Sequence, residues 1–285
     1  MSLIGHSLSC TSIADGLRVI HKLGGNAIQV ALGSADSRVI PKVDPKDAIT
    51  ACKIRCKHNF YVVVHGKYLY NFCRPPSGIK WQHKLLVDEL REAAKLNADV
   101  IIHQGKNVKE LKQSNAVALE QYVANLIVVL DSSTTTNKII LENSSRQGTE
   151  RGYALSELAD IYSAIPDAYK ERIGFCIDLC HIFVSGELDM RDATRVRKWF
   201  QDFDALIGLK KLTVIHFNDS GTQFNGANDN HAMIEKGYIG APERGGNNGG
   251  FKVVAQLCDL HQIPMILETP SGDMQGEIQL LQQYI

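Results

Sequence analysis

Apolar residues in this chain come in short continuous runs rather than in alternation with polar ones. The runs are LIGHS from Leu3, AIQVAL from Ala27, FYVVVH from Phe60, DVIIH from Asp99, KIILE from Lys138, IGFCID from Ile173, LTVIHF from Leu212 and IPMILE from Ile263. Continuous β-branched runs suit strands covered on both faces. Between them the pattern predicts helices over Ser12 to Leu23, Pro45 to His58, Trp81 to Asn97, Ala116 to Leu130, Ala154 to Ile165, Met190 to Ile207 and Phe251 to His261. Asp44 is placed to cap the second helix, with Pro45 at its first position, where a missing N–H does least harm. Two stretches break the rhythm: Arg74 to Lys80 after the third strand, and the polar, glycine-rich Asp219 to Gly250 after the seventh.

Eight strands alternating with helices, and no linker long enough to divide them, predict an α/β fold: a (β/α)8 TIM barrel forming a single domain over residues 1–285. An open doubly wound sheet would show about six strands and a glycine-rich phosphate turn after the first. The first turn here contains no GxGxxG.

Composition narrows the class without choosing a function. The formal net charge is zero, so no overall field announces a polyanionic partner, although a local basic patch would still serve one. The seven cysteines, Cys10, Cys52, Cys56, Cys73, Cys176, Cys180 and Cys258, are scattered and mostly set in apolar or helical segments. They read as buried thiols in a reducing, intracellular compartment rather than as a disulfide framework. Cys52 and Cys56, and Cys176 and Cys180, are each four apart, and neither pair is joined by a CxxC for a zinc ribbon. The opening MSLIGHSLSC lacks the features of a signal peptide, and no apolar run reaches the ~18 residues of a membrane span. A soluble protein without a membrane partner is expected.

The chemistry lies where six of the runs stop. VVVH ends at His65, VIIH at His103, IILE at Glu142, FCID at Asp178, TVIH at His216 and MILE at Glu268. In a parallel barrel these residues stand on one rim, at the carboxyl ends of their strands, where such folds build their sites. One strand-end histidine or carboxylate has an ordinary explanation, a backbone hydrogen bond or a helix cap, and Asp178 and His181 could cap their own helix. Six in succession do not, because grouping that many ionisable side chains near one axis is costly unless cations compensate them. Imidazole and carboxylate without thiolate suit Zn²⁺, Mn²⁺ or Fe²⁺ better than Ca²⁺ or Mg²⁺. His181, Asp229 and His231 raise the donors to nine, enough for two or three ions at three or four ligands each. Metals clustered roughly 3.5–4 Å apart suit in-line displacement at phosphorus, so phosphodiester hydrolysis is the natural chemistry.

HGKYLYN (His65 to Asn71), GFCIDLCHIFVSG (Gly174 to Gly186), and HFNDS followed by DNHAMIEKGYIG (His216 to Gly240) resemble the three motifs of the endonuclease IV family of apurinic/apyrimidinic endonucleases. The resemblance runs in register over essentially the whole chain, with His103, Glu142 and Glu268 where that family has its remaining ligands. It implies a zinc-dependent DNA-repair endonuclease of base excision repair. Such an enzyme cuts duplex DNA on the 5′ side of an abasic site, leaving a 3′-hydroxyl and a 5′-deoxyribose phosphate. By position, His65, His103 and Glu142 would hold one of three zinc ions per chain; Glu142, as bridge, with Asp178, His216 and Glu268 a second; and His181, Asp229 and His231 the third. Glu142, Asp178 and Glu268 are the catalytic carboxylates in that scheme. The resemblance also gives Tyr68 and Leu69 the role of a minor-groove wedge and makes Arg38 the nearest match to an inserted arginine. Lys67 and Lys106 lead the candidates for phosphate contacts, with Arg74 and Lys236 behind them. A monomer acting on abasic duplex DNA is the expectation.

Two departures stand out. Where the family usually has Asp-Arg-His this chain has Asp229-Asn230-His231, keeping both ligands and losing a charge, and His6 is displaced by one position and receives no role. The ERGGNNGG stretch before the last predicted helix has no assigned purpose. The competing reading is a metal-dependent sugar isomerase or epimerase of the same barrel superfamily, which needs fewer ligands; a non-catalytic damage binder would have no use for all nine.

Overall fold

In the computed structural model, which describes residues 2–269 and 272–285, the eight runs become eight strands. They are β1 (Ile4–Leu8), β2 (Ala27–Ala31), β3 (Tyr61–His65), β4 (Asp99–His103), β5 (Ile139–Glu142), β6 (Ile173–Asp178), β7 (Leu212–His216) and, after a two-stranded hairpin of β8 (Asp219–Ser220) and β9 (His231–Ala232), β10 (Met265–Leu267). The eight pair in parallel in the order β1-β10-β7-β6-β5-β4-β3-β2 and close on themselves, as predicted.

The helices between them are α1 (Ile13–Lys22), α2 (Pro45–His58), α3 (Lys80–Ala94), α4 (Asn115–Ser132), α5 (Leu155–Ala164), α6 (Asp167–Lys170), α7 (Leu179–Val184), α8 (Ala193–Leu206), α9 (Gly249–His261) and α10 (Met274–Gln283). Asp44 caps α2 as its sequence suggests, its carboxylate accepting from the backbone N–H groups of Lys46 at 3.3 Å and Asp47 at 3.4 Å. Three helices were not among those predicted. α6 and α7 are too short to show a helical period, and α10 is dominated by glutamine and glutamate, which blur its apolar stripe.

Two layers explain why the strands are apolar throughout. Residues such as Val62, Val64, Val100, Ile102, Leu141, Phe175 and Ile177 face outward into the main core against the helices. The alternate residues Ala27, Val63, Ile101, Ile140, Cys176, Val214 and Ile266 form a separate fully buried cluster inside the barrel. Side chains two apart on a strand share a face. One step further along the same inward face therefore come Gln29, His65, His103, Glu142, Asp178, His216 and Glu268.

Candidate metal centre

The pleat thus stacks a ring of ionisable groups directly on a ring of hydrocarbon. Register tightens it: His103 pairs with Glu142 across β4 and β5, and Asp178 with His216 across β6 and β7. Glu142 lies at the middle. Its Oε2 is 3.5 Å from His65 Nε2 and 3.6 Å from His103 Nδ1, and its Oε1 is 2.9 Å from His216 Nδ1 and 3.5 Å from His181 Nδ1. His216 Nδ1 is also 3.0 Å from Glu268 Oε2 and 3.8 Å from Asp178 Oδ2.

The remaining donors come from α7 and the β7–α9 loop. Asp178 caps α7, its Oδ1 accepting from the His181 N–H at 2.8 Å, so the strand-end aspartate is a cap as well as a member of the cluster. The loop is held by Asp219, a buried carboxylate that accepts from the N–H groups of Ser220, Gly237, Ile239 and Gly240. From this base Asp229 reaches back to lie 3.1 Å from His181 Nε2 and 3.0 Å from His231 Nε2. The ERGGNNGG stretch anchors the other end of the same loop: Asn247 donates to the Arg191 carbonyl at 2.9 Å, and Asn248 to Glu235 Oε1 at 2.7 Å.

Donor atoms converge in three places. His65, His103 and Glu142 bring theirs within 4.8 Å of one another, and so do Glu142, Asp178, His216 and Glu268. The third group within that limit is Asp178, His181 and His231, with Asp229 spanning the two imidazoles. All nine predicted ligands are therefore brought together, Asp178 lying closer to the third set than the sequence suggested. Cys176 and Cys180 also fall within reach of the second and third groups. Burial pushes the Cys176 thiol up to about 12, which favours a neutral packed sulfur over a thiolate ligand.

The residues fit a metal on evidence from their own unsatisfied atoms. Glu142 Oε2, His181 Nε2 and His231 Nε2 are buried without a hydrogen-bond partner, and an unmet buried polar group costs about 1–3 kcal/mol. His181 Nε2 stands close to Asp229 without hydrogen-bond alignment, the arrangement of two groups aimed at a common point rather than at each other.

Without a cation, protons take up the charge. Burial alone would lower the His216 and His181 imidazoles, but their neighbours outweigh it and lift both well above their ordinary value: Cys176, Glu268 and Glu142 beside His216, and Asp178, Asp229 and Glu142 beside His181. His231 rises to about 9, burial again being outweighed, here by Asp178 and Asp229. Burial opposes ionisation of Glu142, yet His103 and His216 hold it well below the usual carboxylate range. His103 is the exception: burial is the larger effect and its imidazole is lowered.

Neighbours orient the donors. Gln29 Oε1 accepts from His216 Nε2 at 2.8 Å, while the same amide donates to Glu268 Oε1 at 2.5 Å. This fixes a proton on His216 Nε2 and turns Nδ1 toward the carboxylates. Asn218 donates to Asp178 Oδ2 at 2.7 Å and to Glu268 Oε2 at 3.3 Å, and His181 Nδ1 donates to the Asn143 carbonyl at 2.9 Å. Such partners tune ligand basicity and fix tautomers. Sequence reading missed Gln29 and Asn218, although Gln29 carried the signal: it sits two residues after Ala27, on the inward face. His6, given no role, is buried on the cavity wall with Nε2 at 3.3 Å from Thr269 Oγ1.

The centre opens into a cavity of about 600 Å³, whose wall includes Tyr68, Asn71, Lys106, Ser145 and Glu150. Tyr68 is 62% exposed, its ring edge-on to His65 at 5.4 Å, while Leu69 is half buried against the core. Lys106 is exposed at the mouth, its Nζ 3.3 Å from Glu150 Oε1. Arg38 lies on the β2–α2 loop with its guanidinium 4.3 Å above the Trp81 ring. Lys67 is placed differently from its expected phosphate role. It is 2% exposed, and its ammonium donates to the Leu32 carbonyl and, at 2.8 Å, to the Ser34 carbonyl.

A closed parallel barrel with a ring of candidate metal donors at its carboxyl rim defines a metal-dependent barrel enzyme. The family model of the xylose isomerase-like TIM barrel matches residues 17–244. A putative endonuclease 4 of Acanthamoeba polyphaga mimivirus is 37% identical over 87% of this chain and 78% of its own length. A probable endonuclease 4 of Petrotoga mobilis is 30% identical over 88% and 85%. The chain belongs to the endonuclease IV family. Among solved structures, endonuclease IV from Thermus thermophilus superimposes with a TM-score of 0.82 at 22% identity, over 99% of this chain and 98% of that one. A D-tagatose 3-epimerase-like protein also shares the fold, with a TM-score of 0.68 at 17% identity over 98% and 96%. At that identity it is a likeness of fold alone.

Proposed function

We propose that this endonuclease repairs DNA by hydrolysing the phosphodiester bond 5′ to abasic sites in duplex DNA, as a single-domain monomer carrying three zinc ions. The observation that carries the reading is the convergence of the buried, unpartnered Glu142 Oε2, His181 Nε2 and His231 Nε2 on one open cavity. His65, His103 and Glu142 would hold one ion; Glu142, Asp178, His216 and Glu268 the second; His181, Asp229 and His231 the third. Bound there, zinc supplies a nucleophile already deprotonated near neutral pH and a charge opposite the leaving oxygen, so no separate side-chain base is needed.

The protein's own groups supply position. Glu142 joins two donor sets through its two oxygens, so its carboxylate fixes their spacing. Gln29 and Asn218 keep His216, Asp178 and Glu268 turned inward. Tyr68 stands at the cavity mouth, where an extruded abasic nucleotide would enter, and Leu69, packed against the core beside it, would back an apolar wedge into the space the nucleotide leaves. Lys106 is the phosphate contact best placed on this rim, and Arg38, whose guanidinium lies over Trp81, would have to leave that ring to enter the groove beside the wedge.

The test is a duplex with one tetrahydrofuran abasic analogue, incubated with metal-loaded protein. The expected product is a single nick 5′ to the analogue, with a 3′-hydroxyl that a polymerase extends. An intact duplex, or equal cutting of the undamaged control, overturns the assignment.

A further inference from the structure

The loop joining β2 to α2, residues 32–44, carries Arg38 and has no helix or strand of its own. Leu32, Ile40 and Val43 pack into the core and the Arg38 guanidinium lies over Trp81 of α3, but among the described residues few hydrogen bonds join the loop to other elements. Val43 N–H donates to Glu92 Oε2 at 2.8 Å near its far end, and at its near end the bonds come from the β3 loop. Lys67 Nζ donates to Leu32 O and Ser34 O, and the Tyr68 N–H donates to Ala35 O at 3.2 Å. Gly33, between the two carbonyls, has φ +74°, and a Cβ there would lie 2.8 Å from Pro41 Cγ and 3.7 Å from the ammonium. The left-handed glycine turns the Leu32 and Ser34 carbonyls toward one cation.

On its other side the Lys67 segment is fixed to α3. Glu89, wholly buried, accepts from the Lys67 N–H at 3.4 Å and from the Tyr70 hydroxyl at 2.7 Å, bracketing Tyr68 and Leu69. A buried ammonium with carbonyl partners is a strong, directional tie, since bonds to a charged donor are worth roughly twice neutral ones.

From this we infer that Lys67 is a positioning residue that couples the Arg38 loop to the Tyr68–Leu69 loop, so that the two enter the lesion as one unit. The inference rests on the reading above that these loops engage abasic DNA. In place of a phosphate contact, the lysine sets the distance between two recognition elements from underneath.

A double-mutant cycle of Lys67→Met and Arg38→Ala tests this, with Lys67→Gln as a milder second variant. Methionine keeps the buried stem and removes the donor. Lys67→Met is expected to raise KM for the abasic duplex about tenfold, a coupling of ordinary size between neighbours, with kcat within about twofold and zinc content unchanged. Arg38→Ala should raise KM in the wild type and add little in the Lys67→Met background, while hydrogen exchange of amides 33–42 in the free protein accelerates in the Lys67 variants. Additive effects on KM, unchanged exchange, or a salt dependence of binding shallower by about 0.9, the mark of one lost phosphate contact, would overturn the inference. If the wild type fails to nick the duplex, the functional reading fails, and the exchange measurement still decides the tie.

Discussion

Two rings of side chains stand two residues apart on the same inward faces of the barrel, and they are stable for opposite reasons. The lower ring, Ala27, Val63, Ile101, Ile140, Cys176, Val214 and Ile266, closes the barrel by ordinary packing. The upper ring, His65, His103, Glu142, Asp178, His216 and Glu268, brings like charges together around the unpartnered, buried Glu142 Oε2, an arrangement that needs a cation or borrowed protons. A single step of the pleat separates scaffold from chemistry, so changes in the two rings should have separable effects.

The largest effect is expected at the centre of the upper ring. Glu142→Ala should cut nicking by about 10³-fold or more, because it removes the carboxylate shared by two donor sets, while binding to the abasic duplex persists in a gel-shift assay. One step below, Ile140→Ala should leave zinc content and turnover per folded molecule intact, yet lower unfolding stability by about 2–5 kcal/mol in urea titration. If Ile140→Ala emptied the site, the two rings would not be independent. Between these falls Gln29→Leu, which releases His216 and Glu268 from their orienting amide. It should weaken zinc retention by about 10–100-fold against a competing chelator, without the stability loss of Ile140→Ala.

The smallest effect sharpens the comparison through protons. His231 is raised to about 9, and His181 and His216 are also raised, so the metal-free centre favours bound protons that must leave for the imidazoles to ligate. Loading zinc at pH 7 should therefore release protons, seen as a binding heat that changes with the ionisation enthalpy of the buffer, and affinity should fall as pH falls. For the metal-free protein the sign is opposite: His231 contributes stability fully below its unfolded pKa of about 6.5, and this is lost as pH rises through about 9. A heat independent of buffer would show that the ring binds no protons in place of metal.

The upper ring was legible in the sequence because a strand has a period of two and the runs ended abruptly. An apolar residue two positions before His65, His103, Glu142, Asp178, His216 and Glu268 marks each as inward-facing. Gln29 obeyed the same rule and was passed over, because an amide is not itself a metal donor. The loop contributions were less legible. Asp229 and His231 are legible only as two donors in a polar loop on the same rim, and nothing local shows that Asp219 holds that loop from further back in the chain. In the sequence Lys67 looks like a phosphate contact because lysines on a rim are usually solvated; only the fold brings the Leu32 and Ser34 carbonyls around its ammonium. The short α7 is not legible because six residues carry no helical period, although Asp178 at its head is a residue type that caps helices.

Elemental analysis of the purified protein by mass spectrometry tests the central claim most directly, since the same barrel also serves epimerase-like proteins. About three zinc ions per chain, falling together with activity in Glu142→Ala, is the predicted result. A single manganese or cobalt ion per fully active chain would contradict it.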